Sequence, residues 1–218
     1  MIQHHPDDAL LMQLAAGSLA AGPALVTAAH VERCGHCQVR LGEFEAIGGA
    51  LLEALEPAML APEALARTLA RIDAQSQTPP GPKADVYPSA TLPVGAAWPR
   101  SLRGCTSGGW RWIGPGMRWC RITVPHDRAA NVFLLRIAAG KSLPVHTHDG
   151  IELTQVLYGR FHDGIGLFDD GDFDEADGSV RHQPVVQPGS ECICLASVEG
   201  RVAFEGRVAR VLGSLVGM

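Results

Sequence analysis

The chain has 218 residues, of which 46% are apolar and 19% charged, with a formal net charge of −5; this is the make-up of an ordinary folded soluble protein, with room for one large domain or two modest ones. No apolar run approaches the ~20 residues that cross a bilayer, and the opening MIQHHPDDALL lacks the basic-then-apolar layout of a secretion signal, so a cytoplasmic protein with no membrane association is expected. The charge is lopsided: residues 1–75 hold four Arg against nine Asp or Glu, and the remainder holds fourteen of each sign, an acidic first third that argues against direct nucleic-acid binding and suits a basic protein partner.

Residues 1–75 are expected to be helical throughout. Asp7, after Pro6, is placed to cap a helix that ends near Gly17 or Gly22. Pro23 suits the first turn of a second helix, and PALVTAAHVERC runs on without a breaker. On such a helix His30, Cys34 and Cys37 (H-x3-C-x2-C) fall at steps of four and three residues, on one face. Leu41, Phe44, Ile47, Leu51 and Leu55 then form one apolar stripe, and Pro62 opens a fourth helix with Leu65, Leu69 and Ile72 on one side. Thiolates and imidazole suit tetrahedral zinc, which takes four ligands in a structural site. The fourth must come from another helix: His5 is the obvious donor and His4 the alternative, while His36 falls off the ligand face. A module this short has a small core, so bound zinc would contribute much of its folding energy.

Between residues 76 and 93 the sequence turns proline-rich and loses periodicity, which marks a linker. Beyond it turn residues recur about every eight to twelve positions between short runs such as RWCRITV, NVFLLRI, ELTQVLY and ECICLASV, the spacing of a β-barrel or sandwich. Within this region Gly140, His146, His148, Glu152 and Gly159 spell G-x5-H-x-H-x3-E-x6-G. Two histidines two apart share a strand face, and Glu152 can return to that face after the turn at Asp149-Gly150. Two imidazoles and a carboxylate converging inside a barrel make a divalent-metal site. His126 and His162 have no partners at useful spacing and are expected at the surface; Trp110 and Trp112 are expected to pack the barrel wall or the domain interface. Cys192 and Cys194, two apart, should share a strand face, an arrangement that favours Cys120 or Cys105 over each other as disulfide partners. Closely spaced cysteines in a reducing compartment more often bind metal or respond to oxidants.

The barrel motif is similar to the first motif of the cupin superfamily at every signature position. The second cupin motif, G-x5-P-x-G-x2-H-x3-N, started at Gly171, places its histidine at His182, although Asp177, Ser179 and Val186 depart from the pattern. The H-x3-C-x2-C helices, the opening HHPDDALLMQLAAGSLAAG, the cupin motifs and the segment ECICLAS together resemble the ChrR class of zinc anti-sigma factors over almost the whole chain. That resemblance implies an α + β multidomain fold, with a small zinc-binding helical bundle (1–75), a linker (76–93) and a cupin, or double-stranded β-helix, barrel (94–218). It further implies zinc on His5, His30, Cys34 and Cys37, and zinc or another divalent metal on His146, His148, Glu152 and His182. The expected partner is an extracytoplasmic-function sigma factor, held off RNA polymerase by the helices and released when the barrel senses oxidants such as singlet oxygen. The competing reading is a metal-dependent cupin enzyme, a dioxygenase or isomerase, with the zinc module as a regulatory appendage. No proton-transfer carboxylate or Lys stands at motif spacing, which argues for the regulator and against an enzyme.

Overall fold

The computed structural model describes residues 1–74 and 86–204. The proline-rich stretch from 76 to 85 lies outside them. Four helices come first: α1 (Asp8–Ala15), α2 (Ala21–Val31), α3 (Gly35–Glu53) and α4 (Ala64–Ala74). Asp7 caps α1 as expected, its carboxylate accepting from the Leu10 amide at 2.7 Å, which satisfies one of the helix's free N–H groups.

One expectation about the helices is corrected. His30, Cys34 and Cys37 do not share a continuous helix: α2 ends at Val31, and Cys34, in extended conformation (φ −108°, ψ 105°), caps α3. Cys, His and Gly35 have low helix propensity, and tertiary bonds hold the break. The Glu32 carboxylate accepts from the amides of Arg100 and Ser101 at 2.6 and 2.5 Å, and Arg33 makes a two-pronged ion pair with Asp170 at 2.9 and 2.8 Å. The turn lets α3 lie along α1, where Arg40 bridges to Asp8. A second difference concerns the apolar stripe of α3. Leu41 and Phe44 pack beside the cysteines, whereas Ile47, Leu51 and Leu55 face solvent.

The barrel is antiparallel in every pairing. Its main sheet contains β1 (Thr106–Ser107), β2 (Arg111–Gly114), β3 (Met117–Val124), β4 (Asp127–Ile137), β6 (Glu152–Tyr158), β9 (Phe173–Ala176) and β11 (Cys192–Val198), in the order β1-β3-β4-β11-β6-β9 with β2 on β3. Smaller sheets join β10 (Val185–Val186) to β7 (Phe161–His162) and β8 (Leu167–Phe168), and β12 (Val202–Phe204) to β5 (His146–His148).

Strands β6 and β11 are buried along nearly their whole length, because both faces of the main sheet are covered. Alternation divides their side chains. Val156, Cys192 and Cys194 join Phe161 and Phe168 on the interior side, and Leu153, Ile193 and Leu195 join Val26 and Ala29 of α2 on the other. The helix sits close: a Cβ on Gly22 would run into Ser197 Oγ and Val132. Residues just after the undescribed stretch add to this layer, with Ala90 buried and the Val86 carbonyl accepting from the Gly104 amide at 2.7 Å. Trp110 packs here too, but Trp112 is 67% exposed, against the expectation that it covers the wall.

Candidate metal centres

The first centre is assembled from three pieces of chain. Pro6 and the cap at Asp7 fix the segment carrying His5; α2 delivers His30 from its last turn; the break supplies Cys34, and the first turn of α3 supplies Cys37. His5 Nδ1 lies 3.3 Å from Cys34 Sγ and 3.5 Å from Cys37 Sγ, and His30 Nε2 lies 3.3 Å from Cys37 Sγ. All four ligand atoms are within 4.8 Å of one another. A tetrahedral ion with bonds of ~2.0–2.3 Å needs ligand separations of about 3.3–3.8 Å, so these residues fit zinc.

Sequence left His4 and His5 as alternatives. The structure brings His5 to the cluster, while His4 Nδ1 bonds the Asp172 carboxylate at 3.1 Å. His36 is exposed, its ring 4.9 Å from that of His5. Burial pushes His30 down to about 4, so it is a neutral imidazole at neutral pH. Burial, with the charge of Cys34, pushes Cys37 up to about 12 in the absence of metal.

The second centre lies inside the barrel. Strand β5 presents His146 and His148 on one face, Glu152 opens β6 after the turn, and His182 comes opposite His146 through an isolated antiparallel bridge with mutual amide–carbonyl bonds of 3.2 Å. The Nε2 atoms of His148 and His146 each lie 3.1 Å from His182 Nε2. One oxygen of Glu152 lies 2.8 Å from His148 Nε2 and 3.7 Å from each of the other two. His146 Nδ1 donates to the Pro144 carbonyl at 2.9 Å, which leaves its Nε2 an acceptor. Three imidazole nitrogens and a carboxylate oxygen converging in a buried pocket form a donor set that suits a divalent ion. Burial alone would raise the Glu152 carboxyl, but the three imidazoles outweigh it and hold it well below the usual range.

Two further carboxyls stand beside this centre, and the motif reading missed both. Asp163 and Asp174 come within 4.8 Å of each other and of His182. Burial, assisted by the charges of Glu152 and Asp163, pushes Asp174 up to about 7. Asp174 arrives through strand pairing, opposite Thr154, and Asp163 on the turn after β7; no motif spacing marks either.

The cysteine pairing expected from sequence is also corrected. Cys192 and Cys194 point into the barrel with their sulfurs 3.6 Å apart, whereas Cys105 and Cys120 lie in the layer under α2; all six cysteines are free. A cavity of about 30 Å³ joins the thiol pair to the metal ligands, bounded among others by Glu152, Thr154, Asp174, His182, Cys192 and Cys194.

Comparison with known proteins adds three findings. Residues 103–201 match the family described as the ChrR cupin-like domain. Over 212 residues, 97% of this chain and 96% of the other, the chain is 37% identical to the anti-sigma-E factor ChrR of Cereibacter sphaeroides. The crystal structure of Rhodobacter sphaeroides SigE in complex with the anti-sigma ChrR superposes with a TM-score of 0.73 at 35% identity, covering 91% of this chain and all of that one.

Proposed function

Because the chain belongs to the ChrR family of anti-sigma factors, we propose that it sequesters a SigE-type extracytoplasmic-function sigma factor in the cytoplasm through residues 1–75, and that the barrel from residue 94 onward governs release in response to oxidants such as singlet oxygen. In this reading His5, His30, Cys34 and Cys37 hold a structural zinc, and His146, His148, Glu152 and His182 hold zinc or another divalent metal in the sensor. Bound zinc would cross-link the three chain segments that also meet in the small apolar cluster around Leu11 and Val31.

The observation that carries the proposal is the apolar surface left open by the helices. Ile47 and Leu51 on α3, Leu55 just after it, and Leu65, Leu69 and Ile72 on α4 are each 51–70% exposed. Among the described residues nothing covers these six side chains, and an apolar surface of this kind suits a protein partner. The acidic residues Glu43, Glu45, Glu53 and Glu56 on and just after α3 would steer a basic partner onto that surface. No helix among the described residues is long and apolar enough to cross a membrane.

The enzyme reading gains one observation, since Asp174 beside the barrel centre is the kind of proton-transfer group that motif spacing did not show. The space beside the centre favours the sensor reading. The cavity of about 30 Å³ has room for roughly two water-sized molecules, a better match for a small oxidant than for an organic substrate.

The test is binding of a SigE-type sigma factor by the zinc-loaded full chain and by Leu51→Asp with Leu55→Asp. Burying two leucines is worth about 1.5–3 kcal/mol each, so the double variant should bind at least ~100-fold more weakly with zinc content unchanged. Equal affinity would refute this use of α3.

A further inference from the structure

We propose that the barrel, and not the helices, supplies the outer shell of the zinc centre, with Gln155 as the positioning residue for the ligand His30; this rests on the reading that the Cys/His cluster holds zinc. His30 is fully buried and turns Nε2 toward Cys37. Its Nδ1 points the other way, 3.0 Å from Gln155 Oε1 and 3.1 Å from the Gly171 carbonyl, both on the barrel. With Nε2 on a metal the ring proton sits on Nδ1, where these two oxygens accept it. Such a bond fixes tautomer and ring orientation and raises the basicity of the ligating nitrogen. Gln155 is itself fully buried, and its amide nitrogen donates to the Val156 carbonyl at 2.9 Å. That second bond settles which way the amide faces and keeps Oε1 toward the histidine.

The neighbouring contacts follow one pattern. Three consecutive barrel residues each hold a residue at or beside a ligand: Asp170 pairs with Arg33, next to Cys34; the Gly171 carbonyl meets His30; and Asp172 binds His4, next to His5, along with the amides of Gln3 and His4. Gly171 has φ +95°, and a Cβ there would press on Ile2 at 2.9 Å, so the turn is shaped to bring its carbonyl against the helical segment. The centre is therefore a shared one, with its ligands from the helices and its orienting bonds from the barrel.

The experiment uses full-length protein with cobalt(II) as the probe, because a thiolate–cobalt charge-transfer band reports the Cys/His centre and not the barrel centre. Gln155→Leu should weaken cobalt binding at the thiolate site 10–100-fold, the usual loss when an outer-shell partner is removed, and shift the band. Gln155→Glu, which keeps an acceptor, should stay within about threefold of the parent. Affinity and band unchanged in Gln155→Leu would overturn the proposal. Absence of the band from the parent protein would instead defeat the zinc reading beneath it. If Gln155→Leu does not fold, the unsubstituted zinc-loaded protein decides by nitrogen-15 NMR. His30 should then be metal-bound through Nε2, with an exchange-protected Nδ1–H coupled to its acceptor. Metal bound through Nδ1, or an Nδ1–H exchanging as fast as that of exposed His36, overturns the proposal.

Discussion

At the scale of single residues, the first centre is a competition between protons and metal. Burial leaves His30 neutral down to about pH 4, so it offers a lone pair across the neutral range at no protonation cost. Cys37 is the opposite case: pushed up to about 12, it is a thiol at neutral pH until a metal displaces its proton. Apparent zinc affinity should therefore rise about tenfold per pH unit between pH 6 and 8 from this thiol alone. A competition titration with a chelator of known pH dependence measures it, and a flat profile would contradict the environment assigned to Cys37. His30 also sets an acid limit on the metal-free fold. Its unfolded-state value near 6.5 lies above the folded value of about 4, so the unfolded chain binds the extra proton between those limits. Stability from this group is present above about pH 6.5 and is lost as pH falls toward 4.

At the scale of elements, the helix–barrel contact is tight enough to be tested with one methyl group or two. Gly22 lies against Ser197 and Val132, so Gly22→Val should lower stability by about 1–3 kcal/mol through overpacking. Gly42, inside α3 with open space around it, should show the opposite sign, Gly42→Ala gaining about 0.5–1 kcal/mol. Thermal unfolding of the zinc-loaded chain reads both; equal shifts would mean that α2 does not pack as described. These elements also show what the sequence carried and what it did not. The cap at Asp7, the four helices, the strand run and the motifs H-x3-C-x2-C and H-x-H-x3-E were legible, because each is written in local spacing; His5 and His182 join them from elsewhere in the chain, which spacing alone did not fix. The break at Cys34 was not, because bonds from Glu32 and Arg33 to residues more than sixty positions away hold it. The docking of α2 on the sheet had one unread signal: ECICLASV is apolar without alternation, the mark of a strand covered on both sides. The stripe on α3 was legible as a pattern, but a pattern does not say whether the surface that covers it belongs to the same chain. Asp174 reached the barrel centre through strand register and Asp163 through the turn after β7, neither of which local spacing encodes.

At the scale of the whole molecule, β6 stands between the two centres. Glu152 at its start faces the barrel interior, and Gln155, three residues on and on the other face, bonds the ligand His30. The same strand pairs with β11, which carries Cys192 and Cys194 beside the cavity. A disturbance of the barrel centre thus has a short path to the helical centre, along β6 and through the Gln155–His30 hydrogen bond, and from there to α3. Release then requires only that two packings of β6 against α2 be close in free energy. In the proposed mechanism an oxidant attacks the imidazoles of the barrel centre first, since singlet oxygen adds to imidazole rings and an oxidised ring is a poorer ligand. The two thiols are buried, and Cys194 is held well above its ordinary range by its bond to Cys192 and by burial, so it is a poor nucleophile until the site opens. Under a photosensitiser, full-length protein bound to its sigma factor should release it in the Cys192→Ser, Cys194→Ser double variant nearly as fast as in the parent. His148→Ala, already short of a ligand, should lose most of the oxidant-dependent change. Light-driven release measured by the change in polarisation of labelled sigma factor separates the two. Normal release by His148→Ala with none from the double cysteine variant would move the sensor from the metal ligands to the thiols.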